Sequence, residues 1–329
     1  MTPTLENYYH AETQREYITN SQIGVYEECQ FRWFMQYRAL EYEPVQDQTH
    51  FLLGHLFECL LLRPNEAEQF YRENREIFLK PTVAQCLEAF EEADSFAKEG
   101  IRSKYPELFA SRGPNKGEIK KTIKITDDMR AEFPAIFDPP GAMKKEFEIV
   151  HEMVESVDRQ GNLREYMSGE QQVILTDEWD GVPVMGMVDL LNITMGRIVD
   201  IKTTKDMDAL EWDDKLKCKV PFYERWNYWR QLAVYRDLAK LPKTCNLHNI
   251  VTDKPKANPT QQRRYAKSRR FDFNDQDRLS EELMMAKGMV AAMSRTDRDN
   301  AIRCGDCECC RLHDHDAEPI EAIDYRYDG

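Results

Sequence analysis

No apolar run in the 329-residue chain approaches the roughly 20 residues that cross a bilayer, so no membrane span is expected. The first residues, MTPTLENYYHAETQREYITN, lack the basic-then-apolar pattern of a secretion signal, and the expected compartment is the cytoplasm. No G-x4-G-K-[ST] pattern occurs, which argues against an ATP-driven motor in this chain. Internal repeats, low-complexity tracts and long linkers are missing too, so one domain with insertions is the expected organisation over residues 1–329. Nor is positive charge in excess. The 45 Lys and Arg against 59 Asp and Glu leave a net charge of −14, which argues against coating nucleic acid through a uniformly basic surface. A local basic groove stays open.

What is present is ordinary globular material, 41% hydrophobic and 11% aromatic. Residues 21–64 read as helices: SQIGVYEECQFRWFMQYRAL with Ser21 as cap, then the apolar FLLGHLFECLLLRP, stopped by Pro64. Residues 65–150 are charged, with turn signals at SRGPNKG and FDPPGAM, and read as a helical insertion. The centre, 170–255, changes character. QQVILTDEWDGVPVMGMVDLLNIT predicts two strands around an Asp180-Gly181 turn, and GRIVDIKTT a third, consecutive and antiparallel. PFYERWNYWRQLAVYRDLAKL predicts one long helix from 222 to 241, and NLHNIVTD a further strand, so the fold class is α/β. A basic stretch and a Cys-rich tail fill 256–329.

Asp189 and Asp200 fall on neighbouring strands, where two carboxylates can share a divalent cation such as Mg²⁺. Asp200 and Lys202, two apart on one strand, share a face while Ile201 turns to the core. An ammonium beside a metal suits phosphodiester hydrolysis, in which the metal orients water and offsets charge on phosphate while a lysine positions or helps deprotonate that water. Asp-x-Lys alone is ordinarily a solvent-facing ion pair. Here the upstream Asp189 and a following helix with Gln231 and Tyr235 at i and i+4 strengthen the chemical reading, although core packing explains the tyrosine equally well. His55, within an apolar helix, reads as a hydrogen-bonded core residue or a ligand. Glu58, one turn later, reads as its support or as half of a structural pair, and Glu178 as an exposed strand carboxylate.

Nine cysteines in an intracellular chain are expected to be reduced, so a cluster points to metal before disulfides. CGDCECC offers C-x2-C-x2-C through Cys304, Cys307 and Cys310, a ligand hairpin for zinc or iron–sulfur that needs a fourth thiolate; Cys309 competes with Cys310. Cys59, Cys86, Cys218 and Cys245 read as buried small hydrophobes. DKPKANPTQQRRYAKSRRFDF concentrates Lys254, Lys256, Arg263, Arg264, Lys267, Arg269 and Arg270 around Tyr265, and reads either as a solvated loop or as a phosphate-contacting edge. NKGEIKKTIK, at 115–124, is a weaker basic run.

Four pieces follow one another in an order that resembles the PD-(D/E)XK nucleases, in particular the RecB-like and RecE-like phage and bacterial exonucleases. They are GHLFECLLLRPNEAEQF with His55, GVPVMGMVDLL with Asp189, IVDIKTT with Asp200 and Lys202, and YWRQLAVY with Gln231 and Tyr235. The resemblance implies a restriction-endonuclease-like core, a central mixed sheet flanked by helices. It also implies that His55, Asp189, Asp200 and Ile201 surround Mg²⁺, for which Mn²⁺ can substitute, that Lys202 is catalytic, and that Gln231 and Tyr235 support the site. Some such nucleases close an iron–sulfur cluster between one N-terminal and three C-terminal cysteines. Cys29 thereby joins Cys304, Cys307 and Cys310 as candidate ligands of a [4Fe-4S] cluster, with zinc as second choice and metal-free thiols as third; the tail departs from the usual C-x2-C-x5-C. The implied activity is a Mg²⁺-dependent exonuclease resecting linear duplex DNA for recombination or repair, with a single-strand-annealing recombinase as partner and a homo-oligomeric ring as assembly. Two alternatives stand beside it: an inactive or structural DNA-binding subunit with a nuclease-like fold, and a different metal enzyme or binding module built around the Cys tail.

Overall fold

In the computed structural model, the Val- and Ile-rich centre folds as three strands, β1 (Glu170–Trp179), β2 (Val182–Asn192) and β3 (Arg197–Thr204). Asp180 and Gly181 join the first two with φ of 50° and 82°, the positive pair of a type I′ turn, whose twist matches that of the strands. β1 and β2 pair antiparallel from Trp179–Val182 to Glu170–Leu191, and β2 pairs antiparallel with β3, Leu190 opposite Val199. β4 (Leu210–Asp213) and β5 (Cys218–Pro221) make a separate two-stranded sheet. β6 (Asn246–Asp253) then lies parallel to β3, an arrangement that needs a crossover, and the helix Tyr228–Leu238 supplies it. After the short β7 (Lys256–Ala257) and β8 (Arg264–Tyr265), β9 (Ser268–Asp272) pairs antiparallel with β6. The main sheet is mixed, in the order β1-β2-β3-β6-β9.

The described residues are 2–44, 48–74, 81, 83–113, 116–120, 122–137, 145–213, 216–257 and 264–313. The chain forms two compact units. One is Met1–Asp47, Gln160–Asp253 and Ser268–Gly329; the other is Gln48–Arg159 and Lys254–Lys267. In the first, Val188, Ile198, Leu247 and Val251 of the sheet pack with Leu232, Tyr235 and Leu279 of its helices. A second cluster joins Ile18, Ile23, Trp33 and Val184 to Ala286 and Val290 of the helix Gln276–Met293. In the other unit the helix Gln48–Leu62 packs on Lys145–Arg159, and Cys86, Phe90, Ile101, Phe109 and Phe137 share a core. Among the described residues no helix is long and apolar enough to cross a membrane.

Three local expectations need correction. The single helix expected over 222–241 is two, Phe222–Arg225 and Tyr228–Leu238, broken at Asn227, whose φ of 54° is a left-handed conformation that asparagine tolerates. The N-terminal helix starts at Asn20, capped by the Thr19 hydroxyl, which accepts the Gln22 N–H at 3.3 Å; Ser21 lies inside it. That helix stops at Cys29 and resumes as Gln30–Trp33 and a π-helical turn, Phe34–Ala39. Cys59, Cys86 and Cys245 are buried as expected, but Cys218 is exposed because the small β4–β5 sheet leaves that position uncovered.

Candidate active site

Asp189 lies near the end of β2, and Asp200 and Lys202 lie on one face of β3. The β2–β3 ladder ends at Leu190 opposite Val199, one residue short of Asp189 and of Asp200. The three side chains converge. Asp189 Oδ2 accepts the backbone N–H of Ile201 at 2.6 Å, and Lys202 Nζ lies 2.6 Å from Asp200 Oδ2. Asp200 is only 1% exposed and Asp189 9%, depths at which a lone carboxylate would not stay ionised. Burial also works against a charge on Lys202, but the carboxylates of Asp200 and Asp189 outweigh it and hold its pKa above the ordinary lysine value. Burial in turn pushes the Asp200 carboxyl above the ordinary aspartate value, against the pull of the Lys202 ammonium, and the lysine nitrogen lies 5.5 Å from the ring centre of Tyr228.

The helix Tyr228–Leu238 backs this group. Gln231 Nε2 donates to the Tyr235 hydroxyl at 2.8 Å and, at a longer 3.4 Å, to Asp200 Oδ1. Tyr235 can approach the sheet because residue 186 is glycine: a Cβ there would meet its ring at 2.9 Å. Burial pushes Tyr228 up to about 12 and Tyr235 well above the ordinary phenol value, so both remain protonated. Asp200 Oδ2 has its ionic contact with Lys202 but accepts no well-aligned hydrogen bond. Two buried carboxylates on neighbouring strands, one of them in contact with a lysine, are a hard oxygen donor set that fits Mg²⁺ or Mn²⁺.

In the same unit the two ends of the chain bring four thiols together. Cys29 Sγ accepts the Arg32 N–H at 3.3 Å, while Cys304 Sγ and Cys307 Sγ accept the N–H groups of Cys307 and Cys310, both at 3.4 Å. The sulfurs of Cys29 and Cys310 are 3.6 Å apart, those of Cys29 and Cys307 3.9 Å, and those of Cys304 and Cys310 4.0 Å; all four lie within 4.8 Å of one another. Cys309 is buried in the surrounding apolar cluster but outside this group. Burial raises Cys29 and Cys307; it also opposes a thiolate at Cys304, yet the N–H groups of Cys307 and Asp306 outweigh it and bring that thiol down to about 7.

The remaining candidates lie on other elements. His55, in the other unit, is half-buried with its ring centre 4.3 Å from that of Phe51, and Glu58 is 4.0 Å from Arg63. The role of His55 as a ligand stays what the family resemblance implies. Glu178 is exposed on β1. Of the basic stretch, Arg269 pairs with Asp208 at 2.6 Å, and Arg270 pairs with Asp272 at 2.7 Å while lying 4.1 Å over the Tyr166 ring. Both are engaged within the chain. Arg263 and the side chains of Lys256, Arg264 and Tyr265 lie outside the described residues.

The family model for a PDDEXK-like domain of unknown function (DUF3799) matches residues 131–313, more than half of the chain and all of its sheet. The chain belongs to this PDDEXK-like family. Among solved structures it is similar to a candidate exonuclease from Eubacterium rectale, with 21% identity, a TM-score of 0.66 and 100% of both chains covered, a likeness of fold. It is also similar to a phage-related exonuclease from Haemophilus somnus 129PT, at 14% identity and a TM-score of 0.27, over 68% of this chain and 98% of that one. A comparison with curated proteins finds no match.

Sequence reasoning missed three residues that lie beside Asp200, Lys202 and Tyr235. Tyr228, under the lysine, follows the unexpected helix break, so its placement had no signal. Gly186 could have been noticed as a glycine inside an apolar strand, a sign of close approach. Asn249, on β6 directly opposite Asp200, is a polar residue on the face that carries Leu247 and Val251.

Proposed function

We propose that this PDDEXK-like domain is a divalent-metal-dependent deoxyribonuclease that degrades linear duplex DNA from its ends. The observation that carries the reading is the pair of buried carboxylates, Asp200 and Asp189, beside the Lys202 ammonium. A divalent ion, when bound there, offsets charge developing on phosphate and supplies activated water. The chain's own residues do the rest. Asp189, by accepting the Ile201 N–H, fixes the phase of β3 against β2 and so the direction of Asp200 and Lys202. Gln231 restrains Asp200 Oδ1 and leaves Oδ2 as the ligand atom. Lys202, held protonated, donates to a phosphate oxygen and stabilises negative charge there. An inactive DNA-binding subunit would have no use for this buried ionised group, which is costly to keep.

The test compares end-labelled linear DNA with closed circular DNA, each with Mg²⁺ and with chelator. Loss of the linear substrate alone, in Mg²⁺ alone, is expected. Equal attack on circles would remove end-dependence, and attack in chelator would remove the metal.

For the thiols we propose a structural metal, and the spacing favours zinc over the iron–sulfur cluster that the family resemblance implies. Four sulfurs at 2.3 Å from one tetrahedral ion stand about 3.8 Å from one another. The thiols here are separated by 3.6, 3.9 and 4.0 Å where they contact, and by no more than 4.8 Å anywhere. A four-iron cluster places its irons between the thiolates and needs them farther apart. A colourless protein with one zinc per chain is expected; a brown one with iron and acid-labile sulfide would restore the cluster.

A further inference from the structure

Asn249 is fully buried inside β6, and neither its amide nitrogen nor its amide oxygen has a hydrogen-bond partner. Leu247 and Val251, two residues away on the same face, belong to the apolar cluster that includes Leu232 and Tyr235. Of its two cross-strand neighbours, Phe271 of β9 offers no polar atom. The other is Asp200, level with it in the parallel register and on the same face. Asp200 Oδ2 is held by the Lys202 ammonium at 2.6 Å, so the atoms left without a partner are those of Asn249. Both polar atoms of one buried amide, set in an apolar layer beside a carboxylate, persist without a partner in a folded protein where another body satisfies them.

We infer that Asn249 is a positioning residue of the cation site, its amide binding the hydration shell of the divalent ion that Asp200 holds. The inference rests on the metal-dependent reading of Asp189 and Asp200 above. Mg²⁺ dehydrates reluctantly and keeps several waters when bound to protein. Those waters are strong donors and need acceptors in dry surroundings, and Asn249 Oδ1 is such an acceptor. Its Nδ2 is left to donate toward the carboxylate side. A neutral amide does this without setting a third negative charge beside Asp189 and Asp200, where like charges would raise one another's pKa and weaken the ionised pair.

The test is Mn²⁺ binding to the full chain by calorimetry, with thermal melting of the same samples, for the wild type, Asn249→Leu and Asp200→Asn. Leucine keeps the forked shape and removes both orphaned atoms, so Asn249→Leu should melt close to the wild type. Its Mn²⁺ affinity should fall about 10–100-fold, the usual loss when a partner behind the ligands is removed. A merely structural role would instead move the melting temperature and spare the affinity. Should the leucine variant fail to fold, Asn249→Ala fits any space that asparagine occupies and should show the same loss. Unchanged Mn²⁺ affinity in a folded Asn249 variant, with Asp200→Asn still abolishing binding, overturns the inference alone. A wild type that binds no Mn²⁺ at Asp200 overturns the metal-dependent reading and the inference with it.

Discussion

The carboxylate group and the thiol group occupy the same unit and are built in opposite ways. Asp189, Asp200 and Lys202 come from adjacent strands and are aligned by strand register, with the helix Tyr228–Leu238 behind them. The four cysteines come from distant segments of the chain and meet through a helix start at Cys29 and a bend at 305–307 that leads into the short helix Glu308–His313. Hard carboxylate oxygens suit Mg²⁺ or Mn²⁺, whereas soft thiolates suit zinc or iron, so one ion does not compete for both places. The first group keeps charge buried at a cost in stability, which fits the chemical site proposed for it. The second brings distant segments together, and the metal proposed there would clip them. Loss of each should therefore register in a different measurement.

The largest separating effect is expected from Cys29→Ser. Breaking a cross-link between such distant segments costs about 2–5 kcal/mol, or roughly 5–15 °C in melting temperature for a unit of this size. Stoichiometric metal on the thiols should disappear while Mn²⁺ affinity at the carboxylates is kept. An unchanged melting temperature with lost Mn²⁺ binding would break the comparison.

A smaller effect is expected from Gly186→Ala. The added methyl would lie 2.9 Å from the Tyr235 ring, in a place where both are packed. Overpacking of this kind costs about 1–3 kcal/mol. Melting should fall by a few degrees and DNA degradation should fall with it, because Tyr235 carries Gln231 with it; thiol-bound metal should be unaffected.

The smallest effect contrasts the buried Asp200–Lys202 pair with an exposed one, Asp177 and Lys240. Lys240, itself 65% exposed, hydrogen-bonds Asp177 and holds its pKa below the ordinary aspartate value. Lys240→Ala should cost only about 0.2–1 kcal/mol at neutral pH. Because the folded pKa is lowered, that contribution is present above about pH 4 and is lost as pH falls through the lower, folded value. Melting curves of the parent and the variant at pH 7, 5 and 3 should show a small gap that closes only in acid. A gap that widens in acid would reverse the sign.

The legible parts of this chain are those set by neighbouring residues. Alternation and the Asp180-Gly181 turn locate β1 to β3, and two-residue spacing puts Asp200 and Lys202 on one face, which the 2.6 Å contact bears out. The C-x2-C-x2-C spacing points to a grouped set of sulfurs, but which of Cys309 and Cys310 belongs depends on three-dimensional packing. Long-range or conformational features are hidden. Asn227 breaks a continuous amphipathic pattern by adopting a positive φ that its neighbours do not announce. The unit of Gln48–Arg159 takes back Lys254–Lys267 between β6 and β9 of the sheet, a return that no local pattern marks. Asn249 reads in sequence as one more residue of an apolar strand, since its partner in register, Asp200, is on a parallel strand far earlier in the chain.

The central claim is that Asp200, with Asp189 and Lys202, hydrolyses DNA. The most direct test is single-turnover degradation of end-labelled linear duplex in saturating Mg²⁺, with wild type and Asp200→Asn prepared and melted in parallel. Replacing one carboxylate oxygen by an amide nitrogen keeps the shape and removes the charge. The expected result is end-shortening by the wild type and a rate lower by on the order of 10³-fold or more in the variant, with Asp200→Asn still folding but melting lower than the parent, because Lys202 loses the carboxylate that compensates its buried charge. Degradation by a folded Asp200→Asn at the parental rate would contradict the account.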